Sequence, residues 1–172
     1  MNAHAPTIKL WLVGLAMFVI VIAMSPSGSD ASQYSIIDHQ AAGTAAMVDT
    51  IQADWRGAGL RNMAIASMIG DLIFIGFYGW GSVVAGRSFM RAASGNMLRI
   101  TGVIIAGAGF VFLFTDYVET ICQMLQMWPE KGSDPLAATA AFMQPIKSAS
   151  FVVTFIGVIA ALIMHRLLNR GA

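Results

Sequence analysis

The fold is decided by residues 62–86, NMAIASMIGDLIFIGFYGWGSVVAG, in which Asp71 is the only residue among the Asp, Glu, Lys, Arg and His types. An α-helix needs about 20 mostly apolar residues to cross a bilayer core of about 30 Å. Three other runs are similarly apolar, at residues 10–24, 98–118 and 146–164. The sequence therefore predicts an all-α membrane protein, a bundle of four transmembrane helices that forms a single integral membrane domain over residues 1–172.

Composition supports the membrane class and excludes others. The chain is 57% hydrophobic and 11% charged, with a mean hydropathy of +0.70. These values are too apolar for a soluble domain of this size. The net charge is only +1, so the chain lacks the basic field with which proteins bind nucleic acid. Cys122 is the only cysteine, which excludes an internal disulfide. The lipid bilayer is the expected partner, and no nucleic acid is.

Basic residues predict the orientation. Positive side chains concentrate on the cytoplasmic side of membrane proteins. We therefore expect both termini in the cytoplasm and the protein in a bacterial inner membrane. An alternative is that residues 1–31 are a signal peptide cleaved near Ser29-Asp30-Ala31. The basic residues that set this orientation precede the first run, join the second to the third, or follow the fourth: Lys9, Arg87, Arg91, Arg99, Arg166 and Arg170.

The predicted outer loops contain one amphipathic segment. Residues 36–56 place apolar side chains at three- and four-residue steps, which indicates a helix lying at the outer surface, with Trp55 as an interfacial anchor. The alternative is one long helix that continues into the second span and is broken near Gly57-Ala58-Gly59. Between the third and fourth spans we expect a turn, with Pro145 in the first turn of the fourth helix.

Ionisable residues on three spans fall at matching heights. Asp71 lies 16 residues from Arg87, Asp116 lies 17 from Arg99, and Lys147 lies 19 from Arg166. At about 1.5 Å per residue these are heights of about 24, 26 and 28 Å above the cytoplasmic ends. Such residues usually face the interior of a bundle or a wet cavity. The sequence thus predicts one polar layer near the outer leaflet, with Glu119 one turn above Asp116.

Three carboxyls and one ammonium then share this layer, as a structural or proton-holding site. We expect Asp116 to pair with Lys147 in a buried salt bridge, and Asp71 to hold a proton. The competing interpretation is a polar network that only fixes how the helices pair, as interhelical hydrogen bonds do in membranes. Possible supporting side chains lie at similar depth or along the same helix faces: Tyr78, Thr115, Gln123, Ser150 and Thr154.

The sequence gives no support for a cofactor. The three histidines lie outside the predicted spans, which argues against haem ligation within the membrane, and no nucleotide-binding motif is present. We therefore predict no cofactor and no metal. A weaker alternative is a metal site in which His39 joins Asp116 and Glu119; a solvated loop histidine is the default interpretation.

The layout resembles a group of small, uncharacterised bacterial four-helix inner-membrane proteins. The resemblance rests on Asp71 in helix two, on D-x-x-E at Asp116 and Glu119 in helix three, and on Lys147 opening helix four, after an outer amphipathic helix that ends in Trp55. Those proteins show Asn after the glutamate, where this chain has Thr120. The resemblance implies the fold and no known activity.

Three functions fit these features. The first is an accessory or scaffold subunit that packs against a larger membrane complex or against itself, which we favour because the chain is small and its spans are rich in glycine. The second is a small proton-linked carrier or channel that uses the polar layer. The third is a membrane enzyme acting on a lipid or quinone, with Asp116 or Glu119 as general base. We favour a non-catalytic role over an enzyme.

Overall fold

The computed structural model describes residues 6–27, 31–93 and 95–170. It is all-helical, with 84% of the described residues in helices and no strand among them. The helices are α1 (Lys9–Met24), α2 (Ile36–Gln40), α3 (Ala45–Gly57), α4 (Arg61–Ala92), α5 (Asn96–Met127) and α6 (Asp134–Arg170).

Three of these helices are long and apolar enough to cross a membrane: α4, α5 and α6. They contain the three predicted spans 62–86, 98–118 and 146–164, so the chain is a helical membrane protein. The first predicted span, residues 10–24, lies in α1, a shorter apolar helix of 16 residues. A fourth crossing therefore stays a prediction. The alternative cleavage site at Ser29-Asp30 lies outside the described residues.

The predicted outer helix over residues 36–56 is wrong as one element, because it is divided into α2 and α3. Gly43 has φ of +68°, a left-handed conformation that glycine adopts without the steric cost of a side chain. Thr44 then begins α3 as its N-cap, its hydroxyl accepting a hydrogen bond from the backbone N–H of Met47 at 3.3 Å. The break resets the helical phase, so the stripe predicted across it does not continue.

The helix that contains the fourth predicted span begins about three turns earlier than the position of Pro145 predicts. α6 starts at Asp134, and Pro145 lies inside it. Pro135 occupies the first turn, where a missing N–H costs little. Pro145 is tolerated inside the helix because, in a membrane protein, neighbouring groups can form a hydrogen bond to the backbone carbonyl that a proline leaves free.

The chain forms two compact units. Unit 1 comprises the described residues of Met1–Leu15, Ile75–Leu113 and Lys147–Ala172, and unit 2 comprises those of Ala16–Phe74 and Phe114–Ile146. Each of the three long helices contributes residues to both units.

Aromatic rings form the interior of unit 1. Tyr78 is fully buried, with its ring stacked on Phe151 at 4.7 Å and edge-on to Phe112 at 5.1 Å. Trp11 of α1 lies 6.3 Å from Tyr78 and 6.0 Å from Phe155, measured between ring centroids. Aromatic pairs at such distances contribute about 0.5–1.5 kcal/mol each beyond the area they bury. They join α1, α4, α5 and α6 within this unit.

Glycines bring the backbones of α4 and α5 into direct contact in unit 1. A Cβ at Gly86 would lie 2.5 Å from the carbonyl oxygen of Gly102, and a Cβ at Gly109 would lie 2.6 Å from the Cβ of Ser82. Close approach at small residues is how membrane helices gain van der Waals contact. These positions therefore leave no room for a side chain.

Unit 2 has a mixed interior in which apolar residues of α3, α4 and α5 meet. Its apolar cluster contains Ile51, Trp55, Ala64, Met68 and Met127, all buried. The indole N–H of Trp55 donates to the carbonyl oxygen of Tyr34 at 2.9 Å. Trp55 is thus buried in the protein, and the predicted interfacial anchor is wrong at this position.

Candidate functional site

Asp71 lies against α5 in unit 2. The hydroxyl of Thr120 donates to the Asp71 carboxylate at 2.8 Å, joining α4 to α5. At the next residue of α4, the backbone carbonyl of Leu72 accepts a hydrogen bond from the Tyr117 hydroxyl at 3.2 Å. Asp71 is half-buried. The helix face that carries it is therefore directed toward a neighbouring helix, as the cost of an acid in an apolar span requires.

The polar face of α5 is buried within the described part of unit 2. Asp116 is 2% exposed and Glu119 is fully buried, and Thr115 is buried beside them. The amide of Gln123 donates to Glu119 at 3.3 Å. Acidic residues are almost never buried to this degree without partners. The sequence pattern that places these side chains on one face of α5 thus corresponds to a buried polar surface.

Farther along α5, both polar atoms of the Gln126 side-chain amide form hydrogen bonds to backbone groups. Gln126 donates to the carbonyl oxygen of Cys122 at 3.0 Å and accepts from the N–H of Ser133 at 3.0 Å. It therefore anchors the turn between α5 and α6. Thr120, where the similar proteins have Asn, and Gln126 belong to the same buried surface of α5.

The remaining predicted site residues lie in unit 1. The Tyr78 hydroxyl is 2.8 Å from the hydroxyl of Thr154 and donates to the carbonyl oxygen of Phe151 at 3.1 Å. Ser150 is buried. Lys147, the first residue of α6 that belongs to unit 1, is half-buried. Tyr78 and Thr154 thus form a hydrogen-bonded pair inside an aromatic core. The pairing of Lys147 with Asp116 stays a prediction.

Known proteins give no guide to this surface. A scan against protein-family models and searches of curated proteins and of solved structures found no match.

His39 is buried, in contrast to the expected solvated loop residue. Its ring is 2% exposed and lies 5.1 Å from the ring of Trp55. Neither ring nitrogen has a hydrogen-bond partner among the described residues. Burial lowers the pKa of His39 to about 4, because the charged ring is disfavoured in an apolar site. Within the described ranges, no group of three or more His, Cys, Asp or Glu side chains is placed to hold a metal ion, so the alternative metal site of His39, Asp116 and Glu119 is not formed.

Gln52 is a second buried polar side chain without a partner. It lies on the buried face of α3, and neither atom of its amide forms a hydrogen bond within the described chain. The apolar pattern of residues 36–56 does not include Gln52, because a polar side chain is expected on the exposed face of an amphipathic helix. Counted within α3 alone, residues 48, 51, 52 and 55 share a face.

An ion-pair cluster joins three elements of unit 2. Glu130 pairs with Arg56 at 2.6 Å, from its Oε2 to Nη1, and with Arg61 at 2.5 Å, from its Oε1 to Nε. Arg56 closes α3 and Arg61 opens α4, while Glu130 lies in the turn after α5. Sequence reasoning missed this cluster, because a carboxylate and two guanidiniums so far apart in the chain carry no local signal.

Proposed function

We propose that this chain is an accessory or scaffold subunit that packs against a partner membrane protein or against a second copy of itself. One observation carries the proposal: only 17% of the membrane-length apolar window of α6 is buried by the rest of the chain. The remaining face carries large apolar side chains, among them Val152, Val153, Ile156, Ile159 and Ile163. A helix so little covered by its own fold has most of its surface available for lateral association.

The interior packing supports the same role. In unit 1 the α4 and α5 backbones meet at glycines and the aromatic rings of four helices interlock. Direct backbone contact favours a rigid element over one that opens during a transport cycle. We further propose that α1 supplies a fourth crossing, that both termini lie in the cytoplasm, and that the membrane is the bacterial inner membrane.

The experiment places a photo-crosslinking residue at Ile156 on α6 and, as a control, at Phe110 on α5, which is also exposed. Crosslinking is carried out in native membranes, before any detergent is added. We expect Ile156 to yield a discrete protein adduct, whose mass distinguishes a second copy from another protein, and Phe110 to yield none. Lipid adducts alone at both positions would refute the scaffold role.

A second candidate is a proton-linked carrier, which the buried acids favour. Asp116 and Glu119 are both buried in unit 2, and Asp71 lies on the adjacent helix bound to Thr120. We propose that Lys147 pairs with Asp116 and Glu119, leaving Asp71 to exchange protons. Buried carboxyls within a span are the usual groups of proton relays.

Proteoliposomes that contain a pH-sensitive dye test this candidate. Asp71→Asn should abolish proton flux, whereas Asp49→Asn, at an exposed acid of α3, should leave it unchanged. Flux that is absent from the wild-type protein, or equal in both variants, would exclude the carrier. Neither result would alter the crosslinking outcome, so the two candidates are tested separately.

A further inference from the structure

We propose that unit 2 carries a binding site for an anionic glycerophospholipid, whose phosphate contacts Arg56 and Arg61 and whose acyl chain occupies an adjacent apolar groove. This inference goes beyond the scaffold role, and it requires only that the chain be embedded in a membrane. It rests on the charge of one cluster, on the shape and chemistry of the groove beside it, and on the position of a tryptophan.

The cluster carries a net positive charge. Two guanidiniums share the single carboxylate of Glu130, and the two ion pairs use Nη1 of Arg56 and Nε of Arg61. Each guanidinium has five N–H donors in a fork that matches a phosphate. The Arg56 side chain is 58% exposed, so an incoming anion can reach it. The two arginines are therefore already held next to each other, with donors to spare.

Three nearby acids accept hydrogen bonds from backbone N–H and hydroxyl groups, and they do not contact the two arginines as ion-pair partners. The carboxylate of Asp49 accepts from the N–H of Gly132, that of Asp134 from the N–H of Ala45 at 2.7 Å, and that of Asp54 from the hydroxyl of Ser32 at 2.6 Å. None of these three forms an ion pair with Arg56 or Arg61 in the described ranges. Among the described residues, Glu130 is therefore the carboxylate in direct contact with the two guanidiniums.

The turn that carries Glu130 is built to hold its carboxylate in this position. α5 ends with hydrogen bonds from the N–H of Glu130 to the Met127 carbonyl and from the N–H of Lys131 to the Gln126 carbonyl, the pattern of a Schellman motif. Glu130 occupies its left-handed position, with φ of +52°, where glycine is usual. A residue with a Cβ is disfavoured there, and the two ion pairs offset that cost.

An apolar groove continues from Arg61. It is lined by Ile65 and Met68 of α4 and by Met124, Met127 and Trp128, at the end of α5. Ile65 and Met68 lie four and seven residues after Arg61, on the same face of α4. The groove is shallow and partly open, with no enclosed cavity, so an acyl chain would lie along its surface.

Trp128 indicates how the ligand is oriented. Its side chain is 70% exposed although it is large and apolar. Exposed tryptophans at helix ends mark the boundary between the acyl chains and the headgroups. A groove that is apolar below this boundary and bears guanidiniums beside it matches a molecule with an anionic headgroup and an apolar chain. A second copy of the chain fits this surface less well than a lipid, because a protein interface here would require apolar side chains where the charged cluster lies.

The experiment measures lipid binding to the delipidated, full-length protein in neutral detergent by native mass spectrometry. Dioleoylphosphatidylglycerol, dioleoylphosphatidylcholine and inorganic phosphate are the three probes. We expect phosphatidylglycerol to bind about ten-fold more tightly than phosphatidylcholine, because both lipids offer a phosphate but the choline group adds a positive charge beside the two guanidiniums. Arg56→Gln with Arg61→Gln should remove the preference, and Arg87→Gln, at an exposed arginine of α4, should leave it intact.

Two further variants distinguish a loss of lipid binding from a loss of folding. Glu130→Gln leaves both guanidiniums without their carboxylate, so it should tighten phosphatidylglycerol binding several-fold, which a purely structural ion pair does not predict. Met124→Phe, which fills the groove and retains the arginines, should weaken binding of the lipid and leave phosphate binding unchanged. Equal binding of both lipids, a full effect from inorganic phosphate alone, dimer formation without lipid, or weaker binding by Glu130→Gln would each overturn the proposal.

Discussion

Acidification should loosen α2 through His39. The ring is buried against Trp55, its nitrogens lack hydrogen-bond partners in the described ranges, and its pKa in the folded protein is about 4. An unfolded histidine has a pKa of about 6.5. Between these two values the unfolded segment binds more protons than the folded one, so stability is complete above about pH 6.5 and is lost as the pH falls toward 4.

The size of the effect follows from the two pKa values. Lowering the pH from about 7.5 to about 5 should reduce the free energy of opening this segment by about 2 kcal/mol, which is a factor of about 30 in the opening equilibrium. Asp38, on the same helix, does not contribute in this range. Hydrogen bonds from the backbone N–H and hydroxyl of Ser35 lower the pKa of its carboxyl, so its contribution is lost only at still lower pH.

Hydrogen exchange of the α2 and α3 amides, measured over this pH range, tests the prediction. His39→Phe is the control, because it keeps a ring beside Trp55 and cannot be protonated. The difference between the two proteins also removes the dependence of the exchange chemistry on pH. Protection should fall about 30-fold in the wild type relative to the variant. Parallel pH dependence in the two proteins would refute the reasoning.

Three further predictions concern stability, and thermal unfolding in detergent measures each. Gln52→Leu should stabilise the protein by about 1–2 kcal/mol, because it replaces a buried amide that has no partner in the described chain, and a lower melting temperature would contradict this. Gly86→Ala should destabilise by about 1–3 kcal/mol, because its Cβ would overlap the α5 backbone, whereas Gly107→Ala, where the Cβ meets nothing within 4 Å, should be neutral or slightly stabilising. Tyr78→Phe should cost only about 1 kcal/mol, since the Thr154 hydroxyl keeps its bond to the Phe151 carbonyl, and a much larger loss would indicate a further role for the phenol.

The sequence predicted the long elements well because their signal is composition over twenty or more residues. The three apolar runs at 62–86, 98–118 and 146–164 all fall within long helices. Prediction from the sequence failed where a single residue interrupts a helix or changes where a helix begins. Gly43 divides the outer segment into α2 and α3, and Asp134 begins α6 well before Pro145.

For the candidate site, the sequence could predict only which side chains share the polar face of α5. Helical spacing places Asp116, Glu119 and Gln123 on one side of α5, and all three are buried. Burial of His39 was not predictable, because it depends on the path of the chain between α1 and α3, where the backbone N–H of Ile36 bonds the carbonyl of Pro26. Contacts between residues distant in sequence, such as Glu130 with Arg56, leave no periodic signal.

The hydrogen bonds of unit 2 bear on whether its polar interior holds the helices together or moves protons. Thr120 binds Asp71, Gln123 binds Glu119, and both polar atoms of Gln126 are engaged by the backbone. A proton relay needs groups that exchange partners, whereas a glutamine fixed at both ends of its amide cannot pass a proton. The Thr120 hydroxyl, which joins α5 to α4, is a neutral donor that suits a static role and is worth about 1 kcal/mol between membrane helices. This pattern favours the scaffold over the carrier, and Thr120→Val separates them: it should lower stability by about that amount in either case, but only a carrier would also show changed flux.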